Sequence, residues 1–176
     1  MSRREQTPPA PPPIVSSAHL VSELGPELSE FEFGLNMAVN AYHRWIVRCM
    51  AAAGVGELGP LDVLVLHLVN HRDREKKLND LCFMLNIEDS HTVNYSLKKL
   101  GRLGLVHGDR RGKERHYATT DAGRAACARY REIRETCLMH SLSALGHDNR
   151  EIGELARLLR ALSGLYEQAA RAAASL

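Results

Sequence analysis

Two clusters of polar side chains in this sequence have the types and spacing to grip a nucleic-acid duplex. Ser90, His91, Thr92, Asn94, Tyr95 and Lys98 fall on the hydrophilic side of one amphipathic stretch. Arg110, Arg111, Lys113 and Arg115 follow in and beside a short segment, Gly108 to Glu114, that carries two glycines. Hydroxyl, amide and imidazole groups match the donors and acceptors of major-groove base edges, and each good base contact is worth roughly 1–3 kcal/mol of discrimination. Guanidinium and ammonium groups supply the charge that phosphates or a minor groove attract. His91, Asn94 and Tyr95 are the candidates for base edges. Ser90, Thr92 and the start of their helix suit phosphates.

The elements that hold these groups can be read from periodicity. Leu78, Leu81 and Leu85 recur at three and four residues, one buried helical stripe. Asn86-Ile87-Glu88 is then a turn, and Asp89 can cap the next helix by accepting from the amide of His91 or Thr92. Val93, Leu97 and Leu100 form the inner face of that second helix. Gly104 follows a basic last turn, Lys98, Lys99 and Arg102, as a helix C-terminus favours. Leu105–His107 and Arg115–Tyr117 can pair as short strands around a basic tip running from Gly108 to Glu114. The order is helix, turn, helix, hairpin: a winged helix-turn-helix.

This segment resembles the DNA-binding core of the MarR (multiple antibiotic resistance regulator) family. The resemblance rests on Gly59-Pro60-Leu61-Asp62-Val63-Leu64-Val65-Leu66, on Leu81 and Ile87, on Asp89-Ser90-His91-Thr92-Val93, on Lys99-Leu100 and on Gly104-Leu105-Val106. Asp109-Arg110-Arg111 fits the family's Asp-x-Arg wing tip. Thr119-Thr120-Asp121-Ala122-Gly123 matches its closing Leu-Thr-x-x-Gly run, with Thr119 in place of leucine. The match covers residues 59 to 123. It implies that Arg111 enters a minor groove with Asp109 orienting it, that terminal helices join two copies, and that a small-molecule effector releases a repressor from DNA.

The flanks read as long helices. From Glu27 to Ala53, Phe31, Leu35, Ala38, Tyr42, Trp45 and Cys49 make one apolar stripe. His43, Arg44 and Arg48 lie off it, where they are solvated or line a pocket for an acidic ligand. Pro60 suits the first position of a helix reaching Asn70, with Leu61, Val65 and Leu68 inward. Arg72 to Lys77 is a charged connector containing a short extended segment. Thr120 or Asp121 can cap a helix whose apolar residues, spread around its circumference, predict burial on more than one face. In the last helix, from Asn149 to Ala174, Ile152, Leu155, Leu159, Leu162, Tyr166 and Ala169 repeat at three and four, a coiled-coil-like seam. Ile152, Leu155, Leu159, Leu162 and Tyr166 are the candidate dimer interface.

The expected fold is therefore mainly α with a small β-hairpin wing, a winged helix-turn-helix with long N- and C-terminal dimerisation helices. Residues 1–17, with five prolines, read as a disordered tail. Residues 18–57 hold the N-terminal dimerisation helix region, 58–120 the DNA-binding domain and 121–176 the C-terminal dimerisation helices. Net charge over the 176 residues is only +2. Between Arg72 and His116, however, eleven Lys or Arg face seven Asp or Glu, a net of +4, so the rest sums to −2. Positive charge sits with the motif, as DNA binding requires.

Other chemistry is poorly supported. His67 and His71 are four apart, but no third metal ligand accompanies them. His147-Asp148 resembles a phosphohydrolase metal pair without its partners, and Asp148 serves better as an N-cap. Cys49, Cys82, Cys127 and Cys137 read as reduced helical thiols; Cys49, beside Arg48, is the candidate for the oxidant sensing that some members of the resembled family perform. No phosphate-binding loop or nucleophile–base constellation marks an enzyme. Neither a secretory leader nor a membrane-length apolar run is evident, which predicts a cytoplasmic protein without cofactor or metal. The expected function is sequence-specific double-stranded DNA binding by a homodimer that regulates transcription. The alternative is a winged-helix adaptor that contacts proteins and no preferred DNA site.

Overall fold

Val63, Leu66, Leu81, Val93, Leu97 and Leu100 meet at the centre of the molecule, each at most 2% exposed. Fully burying such a side chain stabilises by about 1.5–3 kcal/mol, so this cluster fixes how its three helices sit together. The computed structural model describes residues 24–176 apart from 26, 143, 145 and 147, and leaves out the side chains of 73 and 140. The expected tail at 1–17 and the His147 of the His147-Asp148 pair lie outside the described residues.

The chain runs α1 (Leu28–Ala52), α2 (Pro60–Asn70), a 3-10 turn (His71–Asp73), β1 (Lys76–Lys77), α3 (Leu78–Leu85), α4 (Ser90–Arg102), β2 (Val106–Arg111), β3 (Glu114–Thr119), α5 (Asp121–Arg134), a π-helical turn (Glu135–Met139), α6 (His140–Leu142) and α7 (Asn149–Ala173). Each core helix starts where the sequence offers a cap. Pro60 opens α2, and Asp62 reaches back to the Gly59 amide at 2.9 Å. Asp80 does the same for the Lys77 amide at the start of α3. Asn86 closes α3 in the left-handed region, φ 54°, which asparagine tolerates. Asp89 accepts from the His91 amide at 2.9 Å and starts α4.

The inward face of α2 differs from the expected one. Val63, Val65, Leu66 and Val69 are buried together with Asp62, while Leu61 and Leu68 are only half-buried. The helix is packed on several sides, by α1, α4, α5 and β3, so a single-stripe reading undercounts its core positions.

The hairpin also differs. Its strands extend six residues each, leaving Gly112-Lys113 as the whole tip. Gly112 takes φ +64° and makes the turn; Gly108 lies within β2 opposite Tyr117, where a Cβ would come 2.9 Å from the Tyr117 ring. Exposed strand positions filled with arginine carry no apolar alternation, which hid the extra length. The extended segment expected in the connector is β1, and it pairs with β3 to give a three-stranded antiparallel sheet ordered β1-β3-β2. Lys76 of β1 is buried and donates from Nζ to the His71 and Arg74 carbonyls, covering the end of the 3-10 turn. Thr119, the departure from leucine, is buried and donates from its hydroxyl to the Asn70 Oδ1 at 3.2 Å.

α5 begins with Thr120 accepting from the Gly123 amide. Gly123 passes so close to the hairpin that a Cβ there would stand 2.1 Å from the Leu105 carbonyl oxygen. Within one chain this helix buries Gly123, Ala126, Cys127 and Tyr130, one side only. The expected burial on several faces is not met inside the chain, because from residue 131 onward α5 and its continuation run beyond the three-helix core. α1 is likewise buried only at Ser29 and at its far end, through Ile46, Cys49 and Met50; Ala38 and Tyr42 of its expected stripe are exposed. α7 starts at the expected Asp148 cap and buries no residue over its full length. No described helix is long and apolar enough to cross a membrane.

Candidate nucleic-acid interface

Core packing decides which side of α4 faces out. Val93, Ser96, Leu97 and Leu100 point inward. At about 3.6 residues per turn the opposite side is His91, Tyr95, Lys98 and Arg102, spaced four, three and four. All four are exposed, Tyr95 at 66%. The predicted Asn94 and Ser90 are half-buried on the flank of that line. Thr92 sits on the other flank, its hydroxyl donating to the Asp89 carbonyl at 2.8 Å. Arg102 was not among the expected contacts; its place in the four-three-four series was the signal for it.

The rotation of α4 is set from behind by one carboxylate. Asp62, 6% exposed, accepts from the Ser96 hydroxyl at 2.6 Å through Oδ1, and from the Lys99 ammonium at 2.7 Å and the Gly59 amide through Oδ2. Burial pushes the Asp62 carboxyl up, and the hydrogen bonds from Lys99, Ser96 and Gly59 outweigh it and hold the group below its ordinary range. Lys99 is thus committed to the fold while Lys98, one residue earlier, stays outside.

Strand alternation gives the hairpin two unlike faces. Register pairs Gly108 with Tyr117 and Arg110 with Arg115 on one side, and Asp109 with His116 and Arg111 with Glu114 on the other. The first side turns toward α4. Arg115, Gly108 and Tyr117 share a groove of about 690 Å³ with Tyr95, Lys98 and Arg102. Arg110 donates from Nε to the Gly112 carbonyl at 3.2 Å, and among the described residues neither Arg110, Arg115, Lys98, Arg102 nor Lys113 has an acidic partner within salt-bridge distance. The groove is open, cationic and floored by tyrosine rings, the chemistry that seats a phosphodiester backbone.

The other side is neutralised internally. Arg111 donates from both terminal nitrogens to the two carboxylate oxygens of Glu75, each at 2.7 Å. Lys77 pairs with Glu114 at 2.6 Å. Asp109 does not orient Arg111: it lies 3.9 Å from His107, and the connector's Glu75 has taken the guanidinium instead. Alternation puts Asp109 and Arg111 on one face, and Glu75, just before β1, reaches the same face across β3 and engages both terminal nitrogens of Arg111.

His67 packs edge-on against Tyr130 with ring centroids 4.4 Å apart, and its Nε2 is buried without a hydrogen-bond partner among the described residues. Burial pushes its pKa down. Among the described residues no three His, Cys, Asp or Glu converge as a metal site. Cys49 is not an accessible thiol: it is 1% exposed, its Sγ lies 3.5 Å from the Tyr130 carbonyl, and burial, with Cys137 nearby, raises its pKa. Cys137 is the exposed cysteine. His43, Arg44 and Arg48 line a cleft with Asn40, Val47 and Pro60 where α1 meets α2.

The candidate dimer seam is divided. Leu159, Leu162 and Tyr166 line a cleft against Phe31 and Leu35 of the same chain, and the Tyr166 hydroxyl donates to Glu32 at 2.9 Å. Ile152 is half-buried and Leu155 is 47% exposed. Leu158 and Leu165, outside the predicted seam, are 51% and 56% exposed. Asn86, in the turn before α4, donates to Glu167 of α7 at 3.0 Å.

Residues 58–123 match the family model described as a winged helix DNA-binding domain. Among solved structures, reduced AbfR bound to DNA is similar with a TM-score of 0.68 at 18% identity, covering 82% of this chain and 98% of that one. A MarR variant from E. coli in complex with operator DNA gives 0.63 at 17% identity, covering 80% and 99%. The transcriptional repressor CouR gives 0.59 at 23%, covering 81% and 98%. At these identities the likeness is one of fold. No curated protein sequence matches the chain.

Proposed function

We propose that this chain, whose fold is the winged helix of the MarR-family regulators, binds double-stranded DNA as a homodimer and regulates transcription. The observation that carries the reading is the uncovered line His91, Tyr95, Lys98 and Arg102 beside the Arg110–Arg115 side of the wing. In the reading, α4 enters a major groove. His91, Asn94 and Tyr95 meet base edges, and Ser90 and Thr92 lie at phosphates. Lys98, Arg102, Arg110, Lys113 and Arg115 supply backbone charge. Two similar folds are named as complexes with DNA, which supports the partner.

The homodimer is supported by apolar surface that one chain leaves open. α7 buries nothing yet exposes Leu155, Leu158 and Leu165, and α1 exposes Phe33, Met37 and Tyr42. A second copy would cover these and set two α4 helices against half-sites about one DNA turn apart. Repression is the direction that the name of CouR supports. The cationic cleft of His43, Arg44 and Arg48 suits an acidic effector.

Fluorescence anisotropy on duplexes tests the reading. Fragments selected from the host genome bind more tightly than random sequence, and log affinity falls linearly with log salt. Absence of duplex binding at low salt refutes it, and equal affinity for every sequence would favour an adaptor.

A further inference from the structure

We propose that Glu75 sets the DNA affinity of the wing by holding Arg111 away from the duplex. The inference rests on the DNA-binding reading above. Arg111 sits at the end of β2, one residue before the turn, where an arginine could extend past the tip. It folds back instead. Both terminal nitrogens engage both oxygens of Glu75 at 2.7 Å, and Glu75 lies just before β1. Since β3 separates β1 from β2, the guanidinium crosses the outer face of the sheet to reach it. His116 of β3 lies beneath, its Nδ1 3.8 Å from the same carboxylate.

A guanidinium grips phosphate through the same paired N–H edge that it offers a carboxylate. With that edge occupied, Glu75 stands where a DNA phosphate would. Arg110 and Arg115, on the opposite face, have no acid within salt-bridge distance among the described residues. With Lys113 at the tip, the wing therefore presents three cations to DNA and keeps a fourth, Arg111, in reserve. Arg111 is exposed, its side chain at 58%, and Glu75 is half-buried at 34%; neither belongs to the buried core, so removing the pair leaves the core untouched.

The test is a cycle of variants measured on a random-sequence duplex over a salt series. Glu75→Gln tightens binding roughly fivefold, the scale of the exposed ion pair that it releases, and steepens the salt dependence by about one unit. Glu75→Ala, which removes both acceptor oxygens, gives the same gain. Arg111→Gln alone changes affinity less than about twofold, and Glu75→Gln/Arg111→Gln returns to the wild-type value. The proposal is overturned if Glu75→Gln binds no better than wild type, or if Arg111→Gln alone weakens binding as much as Arg115→Gln. A wild-type chain that binds no duplex removes the DNA-binding reading itself, a result distinct from either.

Discussion

Lys99 donates from Nζ to Oδ2 of Asp62 at 2.7 Å, tying the back of the exposed helix α4 to the first turn of α2. The same carboxylate holds Ser96, one turn away on α4, so two points fix the helix about its own axis. The direction in which His91, Tyr95, Lys98 and Arg102 point depends on that angle.

Asp62→Ala leaves the Lys99 ammonium and the Ser96 hydroxyl without their acceptor in a half-closed site. Urea denaturation at neutral pH should show a loss of about 2–3 kcal/mol, below the full cost of breaking a buried pair because Lys99 keeps some water. The pH dependence has a defined sign. The folded carboxyl lies below its ordinary value of 3.8, so its stabilising effect is present above that value and disappears as pH falls through the folded pKa. The stability gap between wild type and Asp62→Asn should therefore narrow on acidification below about pH 4. A gap that stays constant down to acid unfolding would show that the charge contributes nothing.

His67 costs stability on acidification too, but in a higher pH window. Its pKa is pushed below 6.5 by burial against Tyr130, so the unfolded chain takes up a proton first as pH falls. Stability should decline from about pH 6.5 downward toward the folded pKa, a slope that His67→Gln removes. Urea midpoints at pH 7.5 and 5.5 for the two proteins check this.

Gly123→Ala should destabilise by about 3 kcal/mol or more, since its methyl would stand 2.1 Å from the Leu105 carbonyl oxygen and force α5 off the hairpin. A melting temperature within two degrees of wild type, on the scale where 1 kcal/mol moves a chain of this size by roughly 2–4 °C, would disprove the close approach.

Asn94→Ala should weaken binding to a selected site by about 1–3 kcal/mol and leave random duplex binding nearly unchanged. Equal losses on both would move Asn94 from the base-reading set to the backbone set.

Leu165→Glu should convert a dimer to monomers in sedimentation velocity with helical content retained, because the side chain is already 56% exposed within its own chain. A persisting dimer would place the contact elsewhere.

The motif was legible because its signals are local. Asp89 as a cap, Asn86 in the turn and the inward Val93, Leu97 and Leu100 all follow from spacings of two to four residues, and the structure agrees at each. Asp62 was read only as part of a family pattern, since its importance comes from Ser96 and Lys99, more than thirty residues away. Glu75 was lost in a charged connector for the same reason; its partner Arg111 is joined to it only once β1 pairs with β3. Arg102 was nearer to hand. It continues the His91-Tyr95-Lys98 series by one turn, but its position beside Gly104 suggested a helix-end role instead. The length of the strands was invisible because arginine at exposed β positions follows no apolar rhythm.

The two-sided wing has a consequence for how such a segment can change length. Side chains of a strand alternate, so inserting a single residue between Gly108 and Arg110 would exchange the sides of everything up to the turn. Arg110 would rotate to the acid-rich surface and Arg111 into the groove beside α4, inverting which cation is bound and which is offered. Tolerated insertions in β2 should therefore come in twos, matched by two in β3, which lengthen the ribbon without reversing it.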